Sequence, residues 1–304
     1  MVERRPGVMP PRPRPPRRTP RGVVYRRRLA ALAVLVAGFA VAWFIVSSFR
    51  GGKHAQTTTA ILPAKPFRVV FPEGFTRAQM AQRVGVVARI AQREKGKPTR
   101  LRTRSYLTAT SRARLEPGFG RHSYPLEGFL FPATYDFVAR TTSAQLVAQQ
   151  LKAFRENWAK VNLGYARSKN LTAYDVLTIA SLVEKEAVAP EDRGKIARVI
   201  YNRLHLGMNL GIDATTRYGL HIPPTQSLTD SELASTNPYN TRNASIIGLP
   251  PTPIANPGLA SIQAAAHPAA GPWIYFVRKP DHVHHFFTAS FAAFQAYKAA
   301  HGFG

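Results

Sequence analysis

The sequence predicts an α+β protein with a single N-terminal transmembrane helix, a small α/β module, and then a larger domain of helices, loops and short strands. Three observations point there. Leu29–Phe49 is an apolar run without a charge, a strand–turn–helix pattern starts at Phe67, and beyond residue 121 helical-period segments alternate with loops rich in Pro, Gly and aromatic residues. A chain of 304 residues, 45% of them hydrophobic, has enough apolar material for one large or two modest domains.

Taken in order, residues 1–28 form a Pro/Arg-rich tail with ten arginines and Glu3 as its one acid, which the positive-inside rule keeps in the cytoplasm. The run at 29–49 is long enough, at about 1.5 Å rise per residue, to cross a hydrocarbon core of roughly 30 Å. A cleaved signal peptide is the competing reading, but its apolar region is shorter and "FRGGKHAQ" is a poor cleavage site. The expected location is therefore the inner (plasma) membrane, crossed once, with everything after the anchor outside. Residues 50–66 have the Gly, Thr and Pro content of a linker. "FRVVFPEGFTRAQMAQRVG" then reads as a strand, a Pro-Glu-Gly turn, and an amphipathic helix capped by Thr76, which opens a small module over 67–120.

The larger domain, 121–304, begins with "SYPLEGFLFPATYDF", a folded loop and short strand that place Glu127 among apolar neighbours. The stretch at 141–161 follows with Leu146, Val147, Leu151, Phe154 and Trp158 on one helical side. "LTAYDVLTIASLVEKEA" has Thr172 and Asp175 in a capping-box arrangement, and Val176, Ile179, Ala180, Val183 and Ala187 on one face. Glu184 and Glu186 flank that face on opposite sides, while Lys185 points away to solvent. Carboxyls bordering buried surface hold protons more tightly, as a general acid must; alternatively both simply rim a buried helix and pair with Lys185, Arg193 or Lys195. The wheel does not separate the two glutamates. After a helix that carries Asn202 toward Gly207, the chain becomes mostly loop, with Asn, Tyr, Thr, Pro and Gly in a texture suited to binding sugars.

The segments "LEGFLFPATY", "IASLVEKEA", "VIYNRL", "IDATTRYG", "YNTR", "GLPPTPIANPG", "AAAHPA" and "YFV" with "HFFTAS" run in that order through residues 124–292. In them the chain resembles the MltG-type, or YceG-like, endolytic murein transglycosylases. The resemblance implies a YceG-like catalytic domain over 121–304 and a reduced LysM-like module over 67–120. It also implies cleavage of the MurNAc–GlcNAc bond of peptidoglycan without water, leaving 1,6-anhydro-MurNAc ends and terminating nascent glycan strands. On this reading Glu186 is the catalytic acid and base, and Glu184, Glu127, Asn202, Asp213, Tyr239, Asn240 and Thr241 orient substrate or support the acid. The chain has "DATT" where the family commonly has Asp-Pro-Thr; the Asp213 carboxylate is kept and a rigid turn is lost. No cofactor or metal is implied. The partners implied are peptidoglycan glycan strands, the membrane through the one helix, and peptidoglycan synthases or division proteins.

Other chemistries fit less well. A formal charge of +26 invites nucleic acid, but the anchor and the lack of stacking aromatics among the basic residues argue against it. Without cysteine there is no disulfide, thiolate metal site or cysteine nucleophile. "DHVHHF" sets His282, His284 and His285 near Asp281 on an expected strand edge without zinc spacing, and His267 reads as a hydrogen-bonded structural histidine. Neither a serine elbow nor a phosphate-cradling loop occurs. A noncatalytic peptidoglycan-binding scaffold remains the alternative function.

Overall fold

The computed structural model describes residues 36–40, 43, 66–96, 98–111, 113–114, 116–120 and 123–302. It divides into two compact units, Met1–Pro63 and Ala64–Gly304. The expected transmembrane helix is corrected here. Among the described residues no helix is long and apolar enough to cross a membrane, and of the run at 29–49 only 36–40 and 43 are described, as exposed helix. The tail at 1–28 and nearly all of the linker lie outside the described residues. The mixed helix-and-strand character of the rest stands.

In the second unit, β1 (Phe67–Val70) is followed by α1 (Arg77–Lys95), α2 (Thr103–Ser111), the two-residue strands β2 (Ala113–Arg114) and β3 (Ser123–Tyr124), and β4 (Thr134–Phe137). β1 pairs antiparallel with β4, so the sheet joins residues on both sides of position 121; Phe67 faces Phe137 across it, with their rings 5.5 Å apart. α3 (Ser143–Trp158), α4 (Gly164–Ser168), α5 (Ala173–Glu186) and α6 (Asp192–His205) come next. α7 (Asp213–Leu220), α8 (Asp230–Leu233), α9 (Leu259–Ala266), the hairpin of β5 (Tyr275–Arg278) and β6 (His285–Thr288), and α10 (Phe291–Ala300) complete the order. Among the described residues every sheet has two strands, so packing of helices carries the architecture.

Helix starts are set locally. Thr76 with Gln79, Thr142 with Gln145, Thr172 with Asp175 and Thr229 with Glu232 each form a reciprocal capping box, satisfying two amides that helix geometry leaves unpaired. α1 stops at Gly96, which takes the left-handed conformation at φ 62°.

Two apolar cores result. The first gathers Phe71, Met80, Tyr106, Phe129, Phe137 and Phe154 from β1, α1, α2, α3, β4 and the loop before β4. The second gathers Ile179, Val183, Ile196, Ile200, Ile254 and Ile262 around α5, α6 and α9. α5 belongs to both, since Leu177 packs in the first core while Val176, Ile179, Ala180 and Val183 pack in the second. The whole run Val176–Val183 is buried, which explains why hydrophobic residues surround that helix instead of forming a stripe.

One side chain binds the two ends of this unit. The Asn256 amide oxygen accepts from the amides of Gly128 and Leu130, both at 2.9 Å. Its nitrogen donates to the Phe75 carbonyl at 2.9 Å and to Glu127 at 2.8 Å. Gly128 must be glycine here, because its φ is +90° and a Cβ would stand 2.7 Å from the Pro253 ring. Gly128→Ala is expected to destabilise the protein by about 2–3 kcal/mol, measurable by urea unfolding at constant m-value.

Candidate active site

The site is built at the C-terminal end of α5. Because that helix is buried until Val183, its last turn emerges from the core carrying Glu184, Lys185 and Glu186, all partly buried. The two glutamates have different surroundings. Glu184 accepts a hydrogen bond from the Gly258 amide at the start of α9, at 3.1 Å. Beside it Glu73, from the turn after β1, lies over Gly258; burial first, and then the Glu184 charge, raise the Glu73 pKa. Lys185 does not point to solvent as the wheel suggests, but donates to the Gly74 carbonyl at 3.4 Å. Lys185 thus fastens the upstream turn to α5, and Glu184 fastens the start of α9.

Glu186 is different. Its carboxyl takes no hydrogen bond among the described residues. Burial, helped by Asp213, pushes its pKa up to about 7 against the opposing effect of Arg278, Lys185 and Arg242. Arg278, on β5, donates to the Glu186 main-chain carbonyl at 3.1 Å, which satisfies an orphan carbonyl of the helix end and places a cation beside the carboxyl. Asp213 begins α7 and is ion-paired with Arg242, both of them about half exposed. A carboxyl that is free of hydrogen bonds, protonated near neutrality and bordered by cations can give a proton to a ligand and take one back. The second carboxylate nearby, Asp213, is paired with its arginine.

The remaining expected residues fall into a frame. Glu127 is buried and accepts from the Arg77 amide at 2.8 and 3.1 Å, from Asn256 at 2.8 Å and from the Tyr218 hydroxyl at 3.1 Å; burial still lifts its pKa to about 7. Asn202 donates to the carbonyls of Gly271 and Trp273 at 3.2 and 2.8 Å. Asn240 donates to Leu233 and Ser235 and accepts from Thr216 and the Arg242 amide, so it fixes the loop that carries Arg242. Thr241 accepts from the Ile212 amide at 3.0 Å and meets the Thr215 hydroxyl at 2.9 Å, joining that loop to the start of α7. Tyr239 shares a hydrogen bond with Thr252 at 2.8 Å and packs on Tyr218. These bonds position Asp213 and Arg242 beside Glu186.

Arg242 and Arg278 are the residues that sequence reasoning missed. Arg242 stood inside the quoted "YNTR", where a cation next to expected site residues was the available signal. Arg278 carried none. The histidines also differ from expectation. His282 and His284 lie in the turn between the strands and only His285 opens β6, while the His267 ring is exposed and only its amide is bonded, to the Gln263 carbonyl.

The fold and this site define an α+β domain with a carboxyl of raised pKa at the end of a buried helix. The chain belongs to the YceG-like family, whose sequence profile matches residues 48–300. It is similar to an endolytic murein transglycosylase of Bacillus subtilis (strain 168), 37% identical over 160 residues that make up 52% of this chain and 43% of that one. Another such protein, from Streptococcus pneumoniae (strain R6), is 39% identical over 160 residues, 51% of this chain and 28% of that one. The chain thus spans less than half the length of these curated relatives. A crystal structure of a yceG-like protein from Listeria monocytogenes superposes with a TM-score of 0.62 and 29% identity, over 76% of each chain.

Because Asn240 is fully buried and makes four hydrogen bonds within the protein, Asn240→Ala is expected to cost about 2–3 kcal/mol of folding stability, read by thermal unfolding.

Proposed function

We propose that the protein is an endolytic murein lytic transglycosylase in which Glu186 is the acid and base. The observation that carries this reading is the Glu186 carboxyl itself, raised to about 7 and without a hydrogen bond among the described residues, at the end of a buried helix. The names of the relatives supply the polymer.

In the proposed reaction the protonated Glu186 gives its proton to the oxygen linking MurNAc C1 to the next sugar as that C1–O bond breaks. The departing sugar leaves with a free 4-hydroxyl. Glu186, now a carboxylate, takes the proton from the MurNAc C6 hydroxyl while O6 bonds to C1. Atoms balance without water, and the acid is restored. One carboxyl suffices for both steps, where hydrolysis with two flanking carboxylates would activate a water or form a covalent intermediate. Asp213, paired with Arg242, is suited to stabilise positive charge developing at C1. Arg278, Lys185 and Arg242 oppose the rise in pKa and stabilise the carboxylate formed midway, so the protonated carboxyl can still give up its proton in the first step. Action on this polymer would require a location outside the cytoplasmic membrane, where internal cleavage would end nascent strands beside peptidoglycan synthases or division proteins.

The test is mass spectrometry of the products released from purified peptidoglycan by the whole chain, with Glu186→Gln alongside. Anhydro-muramic ends are expected, reduced by about 10²-fold or more in the variant. Reducing ends would instead mean hydrolysis, with Asp213 the first second carboxylate to examine. Binding without product from folded protein would favour the scaffold. The acid form is the active one in the first step, so the rate is expected to fall as pH rises through about 7. A flat rate between pH 6 and 9 would contradict this assignment.

A further inference from the structure

Glu186 ends α5, and Asp192 starts α6 after the short connection 187–191. Both ends of that connection are tied to one place on the β5–β6 hairpin. On one side Arg278 donates to the Glu186 carbonyl at 3.1 Å. On the other, the buried Asp192 carboxylate accepts from the His285 amide at 2.7 Å and bonds the His285 ring through Nδ1 at 3.0 Å. Arg278 and His285 are partners across the hairpin, so their side chains share a face. The contacts close a ring: Glu186, the connection, Asp192, His285, Arg278 and back to Glu186. A second tie lies outside it, where the exposed His284 ring bridges Asp281 at 2.9 Å and Glu191 at 3.1 Å.

We infer that Asp192 and His285 form a positioning pair that holds Arg278 against the end of α5. The inference rests on the acid role proposed for Glu186. Nothing in the proposed chemistry uses the pair, yet both side chains are almost completely buried, and an Asp–His contact is costly to bury without a purpose in the frame. Burial lowers the His285 pKa against the pull of Asp192, while Arg278 lowers it further and Asp281 opposes. The ring meets Asp192 through Nδ1, and the Asp192 carboxylate also takes the His285 amide, sits at the N-terminus of α6 and lies 3.8 Å from Lys195. The pair thus pins the hairpin at the strand position opposite Arg278, so the distance from guanidinium to carboxyl is set by the frame. The groups facing Glu186 are Arg278 from β5, Asp213 from α7, Arg242 from the loop after α8 and Lys185 from its own helix. Of these cations, Arg278 has the largest effect.

The test is a ¹³C NMR titration of Glu186 in the intact chain, with carboxyl-labelled glutamate and Glu186→Gln for assignment. Removing the cation in Arg278→Gln is expected to move the midpoint upward by about one pH unit. His285→Ala is expected to move it the same way, and the double variant no further than Arg278→Gln alone. His285→Asn, which keeps an N–H toward Asp192, should stay near the starting value. If His285→Ala does not fold, Asp192→Asn serves for the same comparison. A midpoint unmoved by His285→Ala or Asp192→Asn, while Arg278→Gln moves it, overturns the inference, as does an unmoved midpoint in Arg278→Gln. Glycan cleavage by the same proteins is read separately. Absence of cleavage with the expected titrations would refute the proposed function and leave the positioning pair standing.

Discussion

The structure depends on the burial of α5. From Val176 to Val183 every side chain is inside, and the helix serves both apolar cores at once. Such a helix has no freedom to slide or rotate, because close-packed interiors resist shifts of even a methylene. Its last turn must leave the core at a fixed point and angle, and the polar residues there are delivered with the rigidity of the core. A reactive group on a loop would need its own supports. Here the core itself supplies them for Glu186.

Around that point the polar residues divide by what they bond. Glu127, Asn202, Asn240 and Thr241 bond mainly to main-chain groups and fix loops. Glu184 fastens the start of α9 and Lys185 the turn after β1. Glu186 is left facing Arg278 and the Asp213–Arg242 ion pair, with no hydrogen bond to its carboxyl among the described residues. The division follows from desolvation. Buried amides and hydroxyls must find partners in the protein, so the deepest polar residues become framework, and chemistry is left to those at the rim.

Whatever is local was legible in the sequence. The box at Thr172 with Asp175 and the cap at Thr76 are written in a few adjacent residues, and the structure forms both, the second as a full box with Gln79. The apolar period of α5 was equally plain. Tertiary partners were not: Glu184 and Glu186 have equivalent places on a helical wheel, and only the Gly258 amide, 74 residues away, distinguishes them. Arg278 reaches Glu186 across 92 residues, through a hairpin whose start no local pattern marks. Polar residues in recognisable motifs, such as Asn202 and Asn240, read as candidates for touching substrate because sequence shows the donor and hides the carbonyl it serves. "DHVHHF" read as one strand because alternation cannot reveal that Lys279 and His284 close a turn within it.

The four contacts of Asn256 bear on how the molecule is made. Its bond to the Phe75 carbonyl spans 181 residues, and those to Leu130 and Gly128 span 126 and 128. Contacts so remote in sequence form late, since closing long loops costs chain entropy before any contact rewards it. During synthesis the turn at Gly128 and the Glu127 carboxyl therefore wait, incompletely paired, until the segment "PPTPIANPG" emerges. A chain arrested before that point would lack Ile254 and α9, so one side of α5 and the frame around Glu127 would stay unfinished together, a species open to proteases and chaperones beside Glu186.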